Sequence, residues 1–166
     1  MKIFKPLTAL AVTLALTVSM VGCFAQKTLA VLVSTLGTAA ASVASVEGNT
    51  SLAQKLTTDV QTASTQILDW TPGTNAQVAV EAFTLVEDDL NLFPLNSKAI
   101  VLIDLAIGTV DSIITELAPA SPVAAAAHAS SRKVVLANAP KTSRQFKAQW
   151  NKLADADPSL AALHLK

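Results

Sequence analysis

Residues 97–118 read SKAIVLIDLAIGTVDSIITELA, and this segment decides the fold. Its apolar residues recur every three or four positions, which is the period of an α-helix. The seam consists of Ile100, Ile103, Ile107, Val110, Ile114 and Leu117, and it is widened by Val101, Leu102, Leu105 and Ile113. A helix that is apolar over most of its circumference is expected to be buried on most sides. The segment therefore predicts a central helix about 33 Å long, at about 1.5 Å per residue.

Three segments before this central helix each carry one apolar stripe with a helical period. They cover 28–46, 51–70 and 75–92, and no alternating stretch is long enough to predict a strand. A Pro-Gly pair at 72–73 and Pro94 separate the segments, because Pro disfavours a helical conformation in the residue before it. Ser51 and Gln54 have the spacing of a capping box, which predicts Ser51 as the N-cap of the second helix.

The composition changes after the fourth segment. Residues 119–140 are rich in Pro, Ala and Ser and predict a linker, whereas residues 141–166 return to a helical pattern with Phe146 and Trp150 on one face. The whole pattern predicts an all-α protein. Its parts are an up-down bundle of about four helices over 26–118, the Pro/Ala-rich linker, and a C-terminal amphipathic helix.

The N-terminus has the composition of an export signal. Residues 1–6 carry Lys2 and Lys5 and no acidic residue, residues 7–21 carry no charge, and small residues follow. The apolar run is shorter than the roughly 20 residues that a membrane-spanning helix needs. The pattern therefore predicts a secretory signal peptide over 1–25.

Two cleavage sites are consistent with this signal. The sequence Met20-Val21-Gly22-Cys23 resembles the bacterial lipobox, which implies that a lipid is attached to Cys23 and that the chain is cut before it. The alternative is ordinary cleavage after Ala25, which would remove Cys23. Both outcomes account for a single Cys in an exported chain, and a single Cys excludes an internal disulfide.

Residues 28–46 also allow a competing interpretation as a membrane span. Their nineteen positions carry no charge, which is compatible with an integral membrane protein of the pore-forming or holin-like kind. Their Ser, Thr, Gly and Ala residues make this a weak span. The composition therefore favours an amphipathic helix of the bundle.

Charge is divided unequally along a chain whose formal net charge is zero. Residues 26–119 hold three lysines against ten acidic residues, a net charge of −7, whereas residues 120–166 hold seven basic residues against two acidic ones, a net charge of +5. One interpretation is that the basic tail folds back on its own acidic bundle. The others are that the tail contacts anionic lipid or a cell-wall polyanion, or that it docks on an envelope protein. These contacts would use Arg144, Phe146, Lys147 and Trp150. Nucleic acid is not expected as a partner of an exported chain.

Asp104 and Asp111 are the sharpest polar feature of the central helix. They are seven residues apart and therefore lie on one side of it. Two such carboxylates can bind a cation or act as an acid–base pair, but a solvent-facing edge of the helix is the simpler reading. Glu87, Asp88 and Asp89 predict a solvated acidic surface or a receiving site for the basic tail.

No motif in the sequence predicts catalysis. His128 and His164 lack a recognisable acid and nucleophile, and there is no G-x-S-x-G, P-loop, G-x-G-x-x-G or H-E-x-x-H motif. The sequence therefore predicts no metal site and no cofactor. The main hypothesis is an exported, non-enzymatic bacterial envelope protein, either lipid-anchored or periplasmic. An integral membrane protein is one alternative, and a small enzyme that uses Asp104 and Asp111 is the other.

Overall fold

The protein is an all-α helical bundle, as the sequence predicts. The computed structural model describes residues 5–70, 76–117, 136 and 138–166, with side chains from residue 26 onward except those of residues 76 and 116. Within these residues it contains five α-helices and no strand. They are α1 (Lys5–Val46), α2 (Thr50–Asp69), α3 (Ala76–Asn91), α4 (Ile100–Leu117) and α5 (Ser143–Asp155), and a 3₁₀ helix (Pro158–Leu163) follows them. Most of the predicted linker 119–140, including His128, lies outside the described residues.

Helix α1 runs through two segments for which the sequence predicts different functions. Its 42 residues include most of the predicted signal peptide and all of segment 28–46. At about 1.5 Å per residue the helix is about 63 Å long. It ends in a Schellman turn, in which Gly48 takes a positive φ of 81° and the Asn49 amide donates to the Ala44 carbonyl at 2.8 Å.

The turn after α1 also determines which residue caps α2. Asn49 directly follows the Schellman glycine, and its side-chain oxygen accepts the Leu52 amide at 3.1 Å. The prediction of Ser51 as N-cap is therefore wrong by two residues, because the chain reverses at Gly48 and enters the helix at Thr50. In α5 the N-cap is Thr142, since its hydroxyl accepts the Gln145 amide at 3.2 Å.

Helices α1 and α2 pack through small side chains. Buried alanines line both helices, and Gly37 of α1 lies directly against Val60 of α2. These alanines are Ala39, Ala40, Ala44, Ala53 and Ala63. A Cβ atom added at Gly37 would overlap both methyl groups of Val60 and lie 2.7 Å from its Cβ. The two backbones therefore approach more closely than larger residues would permit.

Hydroxyl side chains on α1 and α2 bond to their own helices. Each donates to the carbonyl four residues earlier, at 2.8 to 3.1 Å. The donors are Thr35, Thr38, Ser42, Thr57, Thr58, Thr62 and Thr65. This bond satisfies the hydroxyl hydrogen locally, so these Ser- and Thr-rich segments remain regular helices.

Helix α4 is the central helix that its sequence predicts. Residues from Leu102 to Val110 are buried almost without interruption, and Ile113, Ile114 and Leu117 continue the buried surface. The helix packs against α1, α3 and α5. Contact with three neighbours explains why an apolar surface covers most of its circumference.

Helix α5 and the 3₁₀ helix close the open side of α1 and α4. Phe146, Trp150 and Ala154 of α5 are 0% exposed, and the two aromatic rings pack 5.5 Å apart between centroids. The Trp150 indole N–H donates to the Leu163 carbonyl at 2.8 Å, which fixes the 3₁₀ helix on α5. The tail is thus folded onto the bundle by burial of its aromatic face.

Candidate functional site

Buried residues of α1 lie shortly after the predicted lipidation residue. Cys23 lies in the helical backbone of α1, and its side chain is outside the description. The Gln26 amide donates to the Trp70 carbonyl at the end of α2, and Ala30 is the first buried residue among the side chains described from residue 26 onward. Cys23 is therefore seven positions from a buried residue of the bundle.

Among the described residues, one helical segment is long and apolar enough to cross a membrane. It is Gln26–Val46, with a mean hydropathy of 1.8. Half of this window is buried inside the bundle, where Leu32, Leu36 and Val43 are completely enclosed. Both a core helix and a membrane span satisfy such a criterion, and the burial of these residues is what a core helix requires.

Asp104 and Asp111 lie on one side of α4, as their spacing predicts. Both residues are half-buried, and two helical turns separate them, which is about 10.5 Å of axial rise. Asp104 lines a cavity of about 560 Å³ between α4 and α5, together with Val101, Leu136 and Lys152. Both residues already take part in interactions within the fold. The structure therefore places Asp104 at an apolar cleft and Asp111 two turns away on the same helix.

The acidic triplet of α3 is not a solvated surface, so this expectation is wrong. Only Asp88 is exposed, whereas Glu87 and Asp89 are each 1% exposed. Three consecutive residues of a helix span about 200° of its circumference, so at least one must turn inward when the helix packs on both sides. Three consecutive acidic residues on a packed helix therefore predict at least one buried carboxylate. The sequence does not show which basic residue pairs with it.

Lys55 of α2 receives the buried carboxylate of Asp89. Its ammonium group also lies 3.1 Å from Asp59, one turn further along α2. Burial raises the pKa of the Asp89 carboxyl above its usual range, although the bond from Lys55 acts in the opposite direction. The same contacts, with Asp89 first and Asp59 second, raise the pKa of Lys55. This cluster links α2 to α3 in the core-facing seam between them.

The four residues predicted for contact with a partner or membrane divide into two pairs. Arg144 is exposed and Lys147 is half-buried, with its ammonium group 2.7 Å from the Lys166 carbonyl oxygen. Phe146 and Trp150 are completely buried, which differs from the expected surface role. The physical reason is that both rings fill the groove between α1 and α4, where burial of each large apolar surface is favourable. In this fold the basic side chains of α5 face solvent without an aromatic residue beside them.

His164 has an acidic partner that the sequence does not reveal. Its Nε2 atom lies 2.8 Å from Asp155 Oδ1, and the 3₁₀ helix brings the two together from nine positions apart. Their side chains are 41% and 70% exposed, so solvent screens the pair and its contribution to stability is small. The described residues contain no cluster of three or more His, Cys, Asp or Glu side chains that could hold a metal ion.

Comparison of the chain with protein-family models, with curated proteins and with solved structures finds no match.

Proposed function

We propose that the chain is an exported bacterial envelope protein with a non-catalytic binding or structural role, anchored in a membrane by a lipid on Cys23. The observation that carries this proposal is the N-terminal sequence, in which two lysines and an uncharged run lead to Met20-Val21-Gly22-Cys23. The position of the core adds support. The buried residues of α1 among those described, from Ala30 onward, all follow both cleavage sites, so cleavage before Cys23 would remove none of them.

The short connection between Cys23 and the core limits how such an anchored bundle would be held. Seven residues of helix correspond to about 10 Å, so the bundle would lie directly at the membrane surface. The end that faces the membrane would contain Gln26 and Trp70, which are joined by a hydrogen bond. Several acyl chains on one Cys would anchor it firmly, because each buried CH₂ contributes about 0.8 kcal/mol.

The deciding experiment is the intact mass of the protein isolated from the membrane and soluble fractions of a bacterial host. We expect a chain that begins at Cys23 and carries acyl groups in the membrane fraction. The variant Cys23→Ser should lose both the acyl mass and the cleavage before residue 23. An unmodified chain that begins at Gln26 would contradict the lipid anchor and favour a periplasmic protein.

A matched substitution distinguishes the two cleavage sites. Ala25→Gln disrupts the small residue needed for ordinary cleavage after position 25, but it leaves the lipobox-like sequence unchanged. We expect normal processing of this variant. Loss of processing in Ala25→Gln, with normal processing of Cys23→Ser, would contradict the lipoprotein proposal.

The second candidate function is an integral membrane protein, which the apolar segment Gln26–Val46 favours. The two proposals differ after the lipid is removed. Under the first, alkaline carbonate releases any mature Cys23→Ser protein from membranes, because segment 26–46 remains packed in the bundle. Retention of that mature protein in the membrane after carbonate treatment would favour the span.

A further inference from the structure

Helix α3 presents an exposed face on which apolar and acidic residues alternate. This surface, the α3 face, consists of Val78, Glu81, Leu85, Asp88 and Leu92, the last of which directly follows α3. Val78, Leu85 and Leu92 are 45%, 49% and 63% exposed, and Glu81 and Asp88 are also exposed. Steps of three and four residues place all five on one line along the helix. Along this line an exposed leucine, Leu85, thus lies between two acidic residues, Glu81 and Asp88.

Helix α5 presents the complementary order on its solvent side. This surface, the α5 face, consists of Arg144, Ala148 and Lys152, all of which are exposed. They follow one another at intervals of four residues, so a small side chain lies between two basic ones. The carboxylate of Asp155 lies one turn beyond Lys152, at the far end of this face.

The two faces match in spacing. Glu81 and Asp88 are separated by about 10.5 Å along α3, and Arg144 and Lys152 by about 12 Å along α5. The exposed Leu85 lies between the two acids, and the exposed Ala148 lies between the two bases. A large side chain opposite a small one is the arrangement that allows two helices to pack closely.

These faces belong to two helices that do not pack against each other in one molecule. Helix α4 packs against both α3 and α5. A molecule therefore cannot join its own α3 face to its own α5 face. The α5 face also lacks an exposed aromatic residue for insertion into lipid, since Phe146 and Trp150 are buried.

The two faces are also aligned along the bundle axis. Asp88 lies three residues before the end of α3, and Asp104 lies four residues after the start of α4, so both are about one turn from the α3–α4 connection. Lys152 lines the same cavity as Asp104, and Gln145 lines another with Ser112, so α5 runs antiparallel to α4 and parallel to α3. A second copy with its α5 parallel to α3 would therefore bring Lys152 opposite Asp88 and Arg144 opposite Glu81.

We infer that a second copy of this chain docks on the α3 face through its α5 face. Each contact joins Glu81 to Arg144 and Asp88 to Lys152, with Leu85 over Ala148. Because the surfaces differ, the contact is heterologous and leaves one face of each type open at the ends. Repetition of such a contact forms an open row, or a ring where the rotation between copies closes. This inference does not depend on the lipid anchor, although tethering to one membrane would raise the effective concentration of the copies.

The test uses the full chain in a non-ionic detergent, with self-association measured by sedimentation velocity over a range of protein concentrations. We expect association at about 50 mM salt that weakens at about 500 mM, because surface charges are screened over a shorter distance. The variants Glu81→Lys/Asp88→Lys and Arg144→Glu/Lys152→Glu should each associate about tenfold or more weakly, because two attractive pairs become repulsive.

Mixing the two variants gives the decisive result. Each variant alone carries two faces of like charge, but an equimolar mixture restores complementary faces and should restore association. The control Lys27→Glu/Lys98→Glu changes the net charge as much as Arg144→Glu/Lys152→Glu does, at exposed lysines outside both faces, and should associate as the parent chain does. A parent chain that remains monomeric at low salt, association that survives both reversals, or a mixture that stays dissociated would overturn the inference.

Discussion

The α1–α2 seam and the α5 contact both bury apolar surface, but they do so with side chains of opposite size. The seam brings two backbones together over alanines and places Gly37 against Val60. Helix α5 instead fills its groove with Phe146 and Trp150 and adds a hydrogen bond from the indole. The seam should therefore be damaged by added volume, whereas the α5 contact should be damaged by lost volume.

The largest expected effect is at the α5 contact. Trp150→Ala removes a completely buried ring and leaves the Leu163 carbonyl without its indole donor. We expect the free energy of unfolding to fall by about 3–5 kcal/mol, as measured by denaturant unfolding. Trp150→Phe keeps most of the volume and should lose much less. Equal losses for the two variants would mean that the hydrogen bond, and not the ring volume, holds the tail.

The next effect tests the seam in the opposite direction. Gly37→Ala should lower the free energy of unfolding by about 1–2 kcal/mol, because the new Cβ overlaps the stiff side chain of Val60. Helix propensity alone predicts a gain of about 1 kcal/mol for this substitution. The sign of the change in the free energy of unfolding therefore shows whether the overlap or the propensity is the larger effect.

The control for the seam is a second substitution that makes room. In a Val60→Ala background the overlap with the two methyl groups is removed and only the contact with the Cβ atom remains, so adding Gly37→Ala should cost less than in the parent chain. A double-mutant cycle measures this coupling. Additive losses for the two substitutions would show that α1 and α2 tolerate the added methyl group by shifting apart.

A smaller effect concerns the charged link between α2 and α3. Lys55→Ala leaves the buried Asp89 without its cation and should cost about 1–2 kcal/mol at neutral pH, a reduced value because Lys55 is half exposed. The pKa of Asp89 is raised on folding, so its charge opposes stability above that pKa. The loss should therefore shrink as the pH falls through the raised pKa of Asp89, because that carboxylate becomes protonated. Lys98→Ala, at an exposed lysine, is the control, and an equal loss in both variants would contradict the proposed link.

The smallest expected effects concern the two helix caps, one in each region. Asn49→Ala and Thr142→Ala each remove a side-chain acceptor from the first turn of a helix. We expect a loss of about 1 kcal/mol for each, measured by thermal unfolding. Thr142→Ser keeps the acceptor and should be nearly neutral. A loss for Thr142→Ser as large as that for Thr142→Ala would assign the effect to the methyl group instead of the cap.

The sequence predicts features that depend on periodicity and misses those that depend on which elements meet. The central position of α4 follows from its uniform apolar surface, and the Thr142 cap follows from local chemistry. The burial of Glu87 and Asp89 depends on the packing of α2 against α3, which no local pattern encodes. The position of the Asn49 cap depends on where Gly48 ends α1.

The same distinction applies to the candidate contact residues. An amphipathic pattern shows that Phe146 and Trp150 share a face, but it does not show whether the protein's own core or a partner covers that face. The structure places them in the core, next to α1 and α4. Lipidation of Cys23 remains a prediction from the sequence, because the chemistry of that residue is encoded in its neighbours and not in the fold.

The hydroxyls of α1 and α2 alter how their helices meet water. Each hydrogen that points back to the helix is no longer available to a solvent molecule, so the oxygen accepts hydrogen bonds and donates none outward. The methyl groups of the threonines then make the helix surface more apolar than a count of its polar residues suggests. A helix rich in Thr can thus lie against an apolar surface without carrying an unsatisfied hydroxyl donor.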